Sequence, residues 1–226
     1  TVPLTDDFTI RKEDYFRENG GIIFPSPNSP SGVELGMQDV EAIIKANPDV
    51  IVVVDEAYVD FGAASALPLI EKYDNLLVVQ TFSKSRGMAG MRIGYAISNP
   101  VLIKYLNDVK YSFNSYTMDQ TTLALGAAAI ADRTYFEETV HKVVETREWT
   151  KKELAKLGFV FGDSKANFIF ASHPEIPAAD LFAALREANI IVRYFNKPRI
   201  ANYLRITIGT QEDMEKLIEF LKKYKK

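Results

Sequence analysis

The chain has 226 residues, 47% of them hydrophobic and 25% charged, with a net charge of −3 and no cysteine. That is enough for one large domain or two smaller ones, gives no electrostatic reason to bind nucleic acid or an anionic membrane, and removes disulfides, thiolate metal sites and cysteine nucleophiles together. No apolar run approaches the roughly 20 residues of a membrane span, and Thr1 to Asp7 has neither the basic nor the apolar region of a signal peptide, so a cytoplasmic protein with no membrane partner is expected.

Gly21 to Phe24 reads as a short strand entering the Pro/Ser/Asn loop Pro25 to Gly32. Met37 to Ala46 has helical spacing through Val40, Ile43 and Ile44, and Asn47-Pro48 ends it. Val50 to Val54 and Leu76 to Val79 are continuous, largely β-branched apolar runs, which predicts strands buried on both faces of a parallel sheet, with a helix near Ser65 to Lys72 between them. The β-α-β-α-β alternation calls for right-handed crossovers. Arg92 to Ser98 predicts a further strand.

From Pro100 to about Leu157 the pattern is almost entirely helical, with an Ala-rich, packed helix over Leu123 to Ile130 and a long amphipathic one over Phe136 to Leu157 that Gly158 caps. The remainder predicts a strand at Asn167 to Ala171, a helix at Ala178 to Ala188, strands at Ile190 to Tyr194 and Tyr203 to Ile208, and a helix at Gln211 to Lys222. The expected fold class is therefore α/β over 1–133, with a small α+β unit over 134–226. The Lys222-Lys223-Tyr224-Lys225-Lys226 tail reads as a solvated helix end.

Chemistry concentrates at Asp55-Glu56-Ala57-Tyr58 and Thr81-Phe82-Ser83-Lys84, each of which follows one of the apolar runs. The carboxyl ends of such strands are where open α/β sheets place their ligands. Asp55 alone could be a capping or loop acid; beside a ligand it can hold a ring nitrogen protonated. Tyr58 could pack under the sheet edge or set a phenol beside the same ring. Lys84 follows a buried strand rather than a polar face, and an amine placed there can form an imine with a carbonyl cofactor. Thr81 and Ser83 offer hydroxyls and Arg92 a fixed cationic fork, together a match for a phosphate dianion.

The Asn28-Ser29-Pro30-Ser31-Gly32 loop is either a plain turn or part of the same site. Arg205 alternates with Leu204 and Ile206, so it faces solvent or clamps an anionic substrate group, and Arg193 has the same two readings. No G-x-x-x-x-G-K-[ST], G-x-G-x-x-G or G-x-S-x-G element occurs. His141 and His173 have no partner at metal spacing, so no metal is expected.

These stretches resemble fold-type I pyridoxal-phosphate enzymes, specifically the histidinol-phosphate aminotransferase family. The resemblance rests on Pro27 to Gly32, Asp55 to Phe61, Thr81 to Lys84, Ala89 to Tyr95 and Leu204 to Thr210, and extends from near Val2 to the carboxyl terminus. It implies pyridoxal 5'-phosphate as cofactor, bound covalently by Lys84, with Asp55 on the pyridinium nitrogen and Tyr58 on the ring oxygen. Thr81, Ser83 and Arg92 would hold the phosphate. Arg205, with Arg193 as a second clamp, and Asn28 would meet the substrate. The implied reaction exchanges an amino group between L-histidinol phosphate and 2-oxoglutarate in a homodimer.

The family loop usually has asparagine where this chain has Ser29, whose shorter side chain can still donate to the ring oxygen. The resemblance also implies that the chain begins well inside the family's cofactor domain. A glycine-containing turn for the phosphate, an aromatic that stacks on the ring, several strands and residues that reach a partner's site would then lie upstream. An aromatic aminotransferase or a threonine-phosphate decarboxylase shares the same core residues, and a non-catalytic fragment or interaction module is the reading of another class.

Overall fold

The computed structural model describes residues 1–224 and contains two four-stranded sheets. The first is built from β1 (Ile22–Pro25), β2 (Val52–Asp55), β3 (Leu76–Thr81) and β4 (Gly94–Ile97), in that spatial order. β1, β2 and β3 are parallel and β4 runs against β3. The carboxyl ends of three strands and the amino end of the fourth therefore share one edge.

Helix α1 (Met37–Ala46) covers one face of this sheet with Val40, Ile43 and Ile44, which share one helix face at i, i+3 and i+4 spacing and are all buried. It stops at Asn47, whose side-chain amide donates to Ile43 O at 2.8 Å and to Tyr15 O at 3.0 Å, and Pro48 cannot continue the ladder. Ile22, Phe24, Val52, Val54, Leu76 and Val78 complete that core.

The chain then runs through α2 (Pro100–Phe113), α3 (Gln120–Ala131) and α4 (Arg133–Lys156). α4 ends in a Schellman arrangement. Gly158, at φ +84, donates to Ala155 O, and Phe159 donates to Leu154 O. The second sheet, antiparallel throughout, comprises β5 (Val160–Phe161), β6 (Phe168–Ser172), β7 (Arg193–Tyr194) and β8 (Leu204–Thr207) in the order β5-β6-β8-β7. Helices α5 (Ala178–Glu187) and α6 (Gln211–Tyr224) join α4 on one face, over Ile169, Ala171, Leu204 and Ile206.

Two ties bind the sheets. Arg147 on α4, 2% exposed, donates from Nη1 to Phe61 O at 2.8 Å and to Ala166 O at 3.0 Å. Gly32 accepts from Lys165 N at 2.8 Å beside a Val33–Ser164 bridge. A Cβ on Gly32 would lie 2.2 Å from Ser164 Oγ, and its φ is +77, so only glycine lets the loop approach this closely.

Several expectations need correction. The first sheet is not buried on both faces: Ile23 is 72% exposed, and Val53 and Leu77 are half-buried, because α1 covers one face only. The helix expected over Ser65 to Lys72 is a 3-10 turn, Leu67–Leu69. Pro68 lacks an N–H, and the Ser65 hydroxyl and Ala66 N–H are drawn instead to the Glu56 carboxylate. α3 forms as expected, but Leu123, Leu125 and Ile130 on it are exposed and only Thr122 and Gly126 are buried. Alanine-rich sequence winds into a helix by propensity, without cover.

The strand expected over Ile190 to Tyr194 pairs only at Arg193 and Tyr194. Arg92 stands outside β4 in the left-handed region, at φ +57. Of the basic tail, Lys222 to Tyr224 belong to α6, and Lys225 and Lys226 lie outside the described residues. Among the described residues no helix is long and apolar enough to cross a membrane.

Candidate active site

β1, β2 and β3 deliver their carboxyl ends to one edge in register, with Pro25 beside Asp55 and Asp55 beside Val79. Asp55 turns the chain there by accepting from Ala57 N at 3.0 Å with Oδ1. Tyr58 follows at the start of a 3-10 turn, Val59–Phe61. At the end of β3 the Thr81 hydroxyl donates to Ile93 O at 3.0 Å and accepts from Ser83 N at 3.1 Å, and it lies 2.9 Å from the Ser83 hydroxyl.

Lys84, exposed, places Nζ 5.6 Å from the centroid of the Tyr58 ring and has no hydrogen-bond or ion-pair partner among the described residues. Arg92 enters the same edge from the start of β4 and uses Nη1 on Ala89 O at 2.7 Å. The Ser85 hydroxyl donates to Asp60, tying the lysine loop to the turn after β2. Arg86 packs its guanidinium between the rings of Phe82 and Phe136, 5.3 and 4.1 Å from their centroids, and donates to Ala129 O on α3.

Behind this edge lies a buried acid. Glu56, 2% exposed, accepts from Ser65 Oγ at 2.7 Å, Ala66 N at 2.6 Å and Gln80 Nε2 at 2.8 Å. The Tyr95 hydroxyl donates to Gln80 Oε1 at 2.7 Å, and burial, with Asp60 nearby, pushes that phenol above its ordinary value. Glu56 is thus fully engaged in locking β2 to β3, while its neighbour Asp55 keeps one carboxylate oxygen without a protein donor among the described residues.

The second sheet turns its other face to this edge. Phe168 and Arg205 project from β6 and β8 on that face, and Arg193 on β7 stands directly opposite Arg205. The Phe168 ring meets Tyr58 edge-on, 5.1 Å between centroids. The Arg205 guanidinium lies over the rings of Phe168 and Phe195, at 5.1 and 5.7 Å, and Arg193 lies 5.4 Å from Phe195. Arg205 Nη1 reaches Ser29 Oγ at 3.4 Å, and Arg205 Nε is buried without a partner among the described residues.

Asn28, 8% exposed, sits in the turn beneath, accepting from Gly32 N with its carbonyl and from Ser31 Oγ with its side chain. The structure therefore brings Asp55, Tyr58, Thr81, Ser83, Lys84 and Arg92 to one sheet edge, and Ser29, Arg193 and Arg205 to the face opposite. Glu56 lay in a stretch that the sequence singled out but had no role assigned to it, and Phe168 and Phe195 escaped the sequence reading. The alternating aromatics of Phe168 and Phe170 were the one available signal.

The histidines stand apart. His141 is exposed on α4 beside Glu145, and His173 is buried against Phe159 and bonds to Leu157 O. Among the described residues no cluster suits a metal.

The model of the family described as aminotransferase class I and II matches residues 1–221. The chain belongs to this family. Similar proteins include the histidinol-phosphate aminotransferase of Lactococcus lactis subsp. cremoris (strain SK11), 52% identical over 225 residues, covering 100% of this chain and 63% of that protein. The chain thus spans about 63% of the length of this curated relative.

Among solved structures, the histidinol-phosphate aminotransferase from Clostridium acetobutylicum shares the fold at a TM-score of 0.86 and 23% identity, covering 98% of this chain and 70% of that one. The histidinol-phosphate aminotransferase from Sinorhizobium meliloti, solved in complex with pyridoxal-5'-phosphate, aligns at a TM-score of 0.83 and 25% identity, covering 99% of this chain and 64% of that one. The α/β architecture is that of the fold-type I aminotransferases.

Proposed function

We propose that this chain carries the lysine, the ring-nitrogen acid and the anion clamps of a pyridoxal-phosphate-dependent aminotransferase that exchanges the amino group between L-histidinol phosphate and 2-oxoglutarate. The observation that carries the reading is the convergence of an unpaired Lys84, Asp55 and Tyr58 at the carboxyl edge of a parallel sheet, facing Arg205. The 52% identity to a histidinol-phosphate aminotransferase supports the choice of substrate.

The residues fit the cofactor by their spare capacity. Among the described residues Lys84 Nζ is unpaired, Asp55 holds only the Ala57 N–H with its side chain, Arg92 spends one nitrogen on Ala89 O, and the Thr81 and Ser83 hydroxyls adjoin one another. When bound, pyridoxal phosphate supplies the electron sink that lets a proton leave the substrate Cα. Lys84 would anchor the cofactor and, once free, act as the base that takes the proton from the substrate Cα. Asp55 would keep the ring nitrogen protonated. Tyr58 would donate to the ring oxygen, with Ser29 as a second donor, and Thr81, Ser83 and Arg92 would hold the phosphate. Arg205 and Arg193 hold the anionic end of the substrate, and Asn28 shapes the floor.

The same reading divides the chain into a cofactor-bearing unit over 1–133 and a substrate-side unit over 134–226. Two apolar cores that share no residue support that division. A cytoplasmic homodimer is the assembly it implies, and exposed Tyr105, Val109, Phe113 and Leu123 on α2 and α3 support a covered apolar surface there.

The test is incubation with pyridoxal phosphate, reduction with borohydride and mapping of the adduct by mass spectrometry. A single adduct at Lys84 is expected, and scattered labelling overturns the assignment. Substrate choice is tested in the enzyme reconstituted to its relatives' length. Amino transfer from L-histidinol phosphate should exceed that from phenylalanine, and threonine phosphate should not be decarboxylated.

A further inference from the structure

Arg205 is held in an unusual way. Its Nε is buried with no hydrogen-bond partner among the described residues, and its Nη1 contact with Ser29 Oγ, at 3.4 Å, is beyond the ordinary N–H···O range. Hydrogen bonds to the protein therefore do not set the plane of this guanidinium. Two rings remain to do so. Phe195 lies in the irregular segment after β7 and is shared with Arg193, whereas Phe168 lies on a central strand of the second sheet and is 2% exposed.

Phe168 is fixed from several sides. Its carbonyl accepts from Ser164 Oγ at 2.6 Å, and the residue as a whole is 2% exposed. The ring presents an edge contact to Tyr58 and its face to Arg205, each at 5.1 Å. Tyr58 in turn lies beneath Lys84 Nζ. One rigid ring thus joins the lysine side of the site to the arginine side, across a gap of 110 residues between Tyr58 and Phe168.

We propose that Phe168 is a positioning residue that sets the Arg205 guanidinium relative to Tyr58 and Lys84, and so fixes the distance between the substrate's anionic end and its reacting carbon. This rests on the reading of Arg205 as the anion clamp. Phe168 itself touches neither the anion nor the reacting atoms. Nη2, which has no hydrogen-bond partner among the described residues, and the loosely held Nη1 are left to meet the anion, while the ring behind the guanidinium supplies orientation without consuming a donor. A side chain of equal bulk without the ring face would fill the core but release the guanidinium plane.

The test uses the 226-residue chain without cofactor, labelled with ¹⁵N at arginine. An Arg205→Lys variant assigns the Arg205 Nε–Hε signal. Stacking over Phe168 should shift Hε upfield of the Arg17 signal, since exposed Arg17 has neither a ring nor a side-chain hydrogen-bond partner among the described residues. In Phe168→Met the shift should collapse, and titration with inorganic phosphate, followed on the same signal, should show affinity about tenfold weaker. Phe168→Tyr should retain both within twofold.

An Arg205 signal at the Arg17 position in the unmutated chain overturns the proposal, and that comparison does not depend on the Phe168 variants folding. A Phe168→Met chain with unchanged shift and affinity overturns it as well. If the ring shift is present but phosphate leaves the signal unmoved, it is the anion-clamp reading that falls, and the two failures are told apart.

Discussion

Arg193 and Arg205 stand directly opposite each other on β7 and β8, and both guanidinium groups lie against the ring of Phe195, at 5.4 and 5.7 Å. Opposed like charges on one sheet face destabilise a strand pair. Arg193→Gln is therefore expected to raise unfolding stability by a few tenths of a kcal/mol while weakening phosphate binding several-fold. Urea unfolding with a parallel calorimetric titration checks both, and a loss of stability would contradict the repulsion argument.

Glu56 satisfies three donors from two separate segments. Glu56→Ala leaves the Ala66 N–H, the Ser65 hydroxyl and the Gln80 amide without their acceptor, at an expected cost of about 2–3 kcal/mol. Glu56→Gln keeps the volume but turns a donor toward donors, so it should recover only part of that loss. Equilibrium unfolding of the two variants measures the difference.

Gly32→Ala should cost more than about 1 kcal/mol, because it combines a left-handed φ with a Cβ placed 2.2 Å from Ser164 Oγ. Ser164→Ala removes the nearest clash, leaving its Cβ 2.8 Å from the added methyl, but also removes the bond to Phe168 O. The double variant should therefore be more stable than the sum of the two single effects implies. A double-mutant cycle on unfolding free energies reads the coupling.

Acid stability should depend on Lys151. A hydrogen bond from Lys151, more than burial opposes it, holds Asp163 below the ordinary carboxylate range. Burial pushes Glu148 up, but bonds from Lys151 and Arg147 outweigh it and its pKa is lowered too. A carboxylate depressed in the folded state stabilises the fold above its unfolded value, about 4, and loses that contribution as pH falls through the folded value. The unfolding free energy should thus decline below about pH 4, and Lys151→Met should flatten the decline. Salt should flatten it in part as well, since both carboxylates are partly exposed. An unchanged slope in Lys151→Met would count against this account.

Local patterns made much of the fold legible. α1 is bounded as read, Met37 to Ala46, because its apolar period and the Asn47-Pro48 stop act within a few residues of one another. The Gly158 cap is legible for the same reason. The segment at Ser65 to Lys72 was not, because Glu56 takes its first donors from nine and ten residues away. The exposure of α3 was also out of reach, since helix propensity is local and cover is not.

The site divides along the same line. Asp55 and Lys84 are legible as candidates because a polar residue at or just past the end of an apolar strand stands out along the chain, and Arg92 because a fixed cation follows the lysine closely. The link from Tyr58 through Phe168 to Arg205 joins residues that no local pattern relates. The sequence by itself determined which chemical groups are present, on which strand ends they lie, and which elements form by short-range periodicity. Only the tertiary structure decided that the second sheet turns its aromatic face and two arginines toward the lysine edge. That depends on Arg147 and Gly32 joining distant segments, and such contacts gain their free energy from burial and hydrogen bonding across the fold rather than from neighbouring residues.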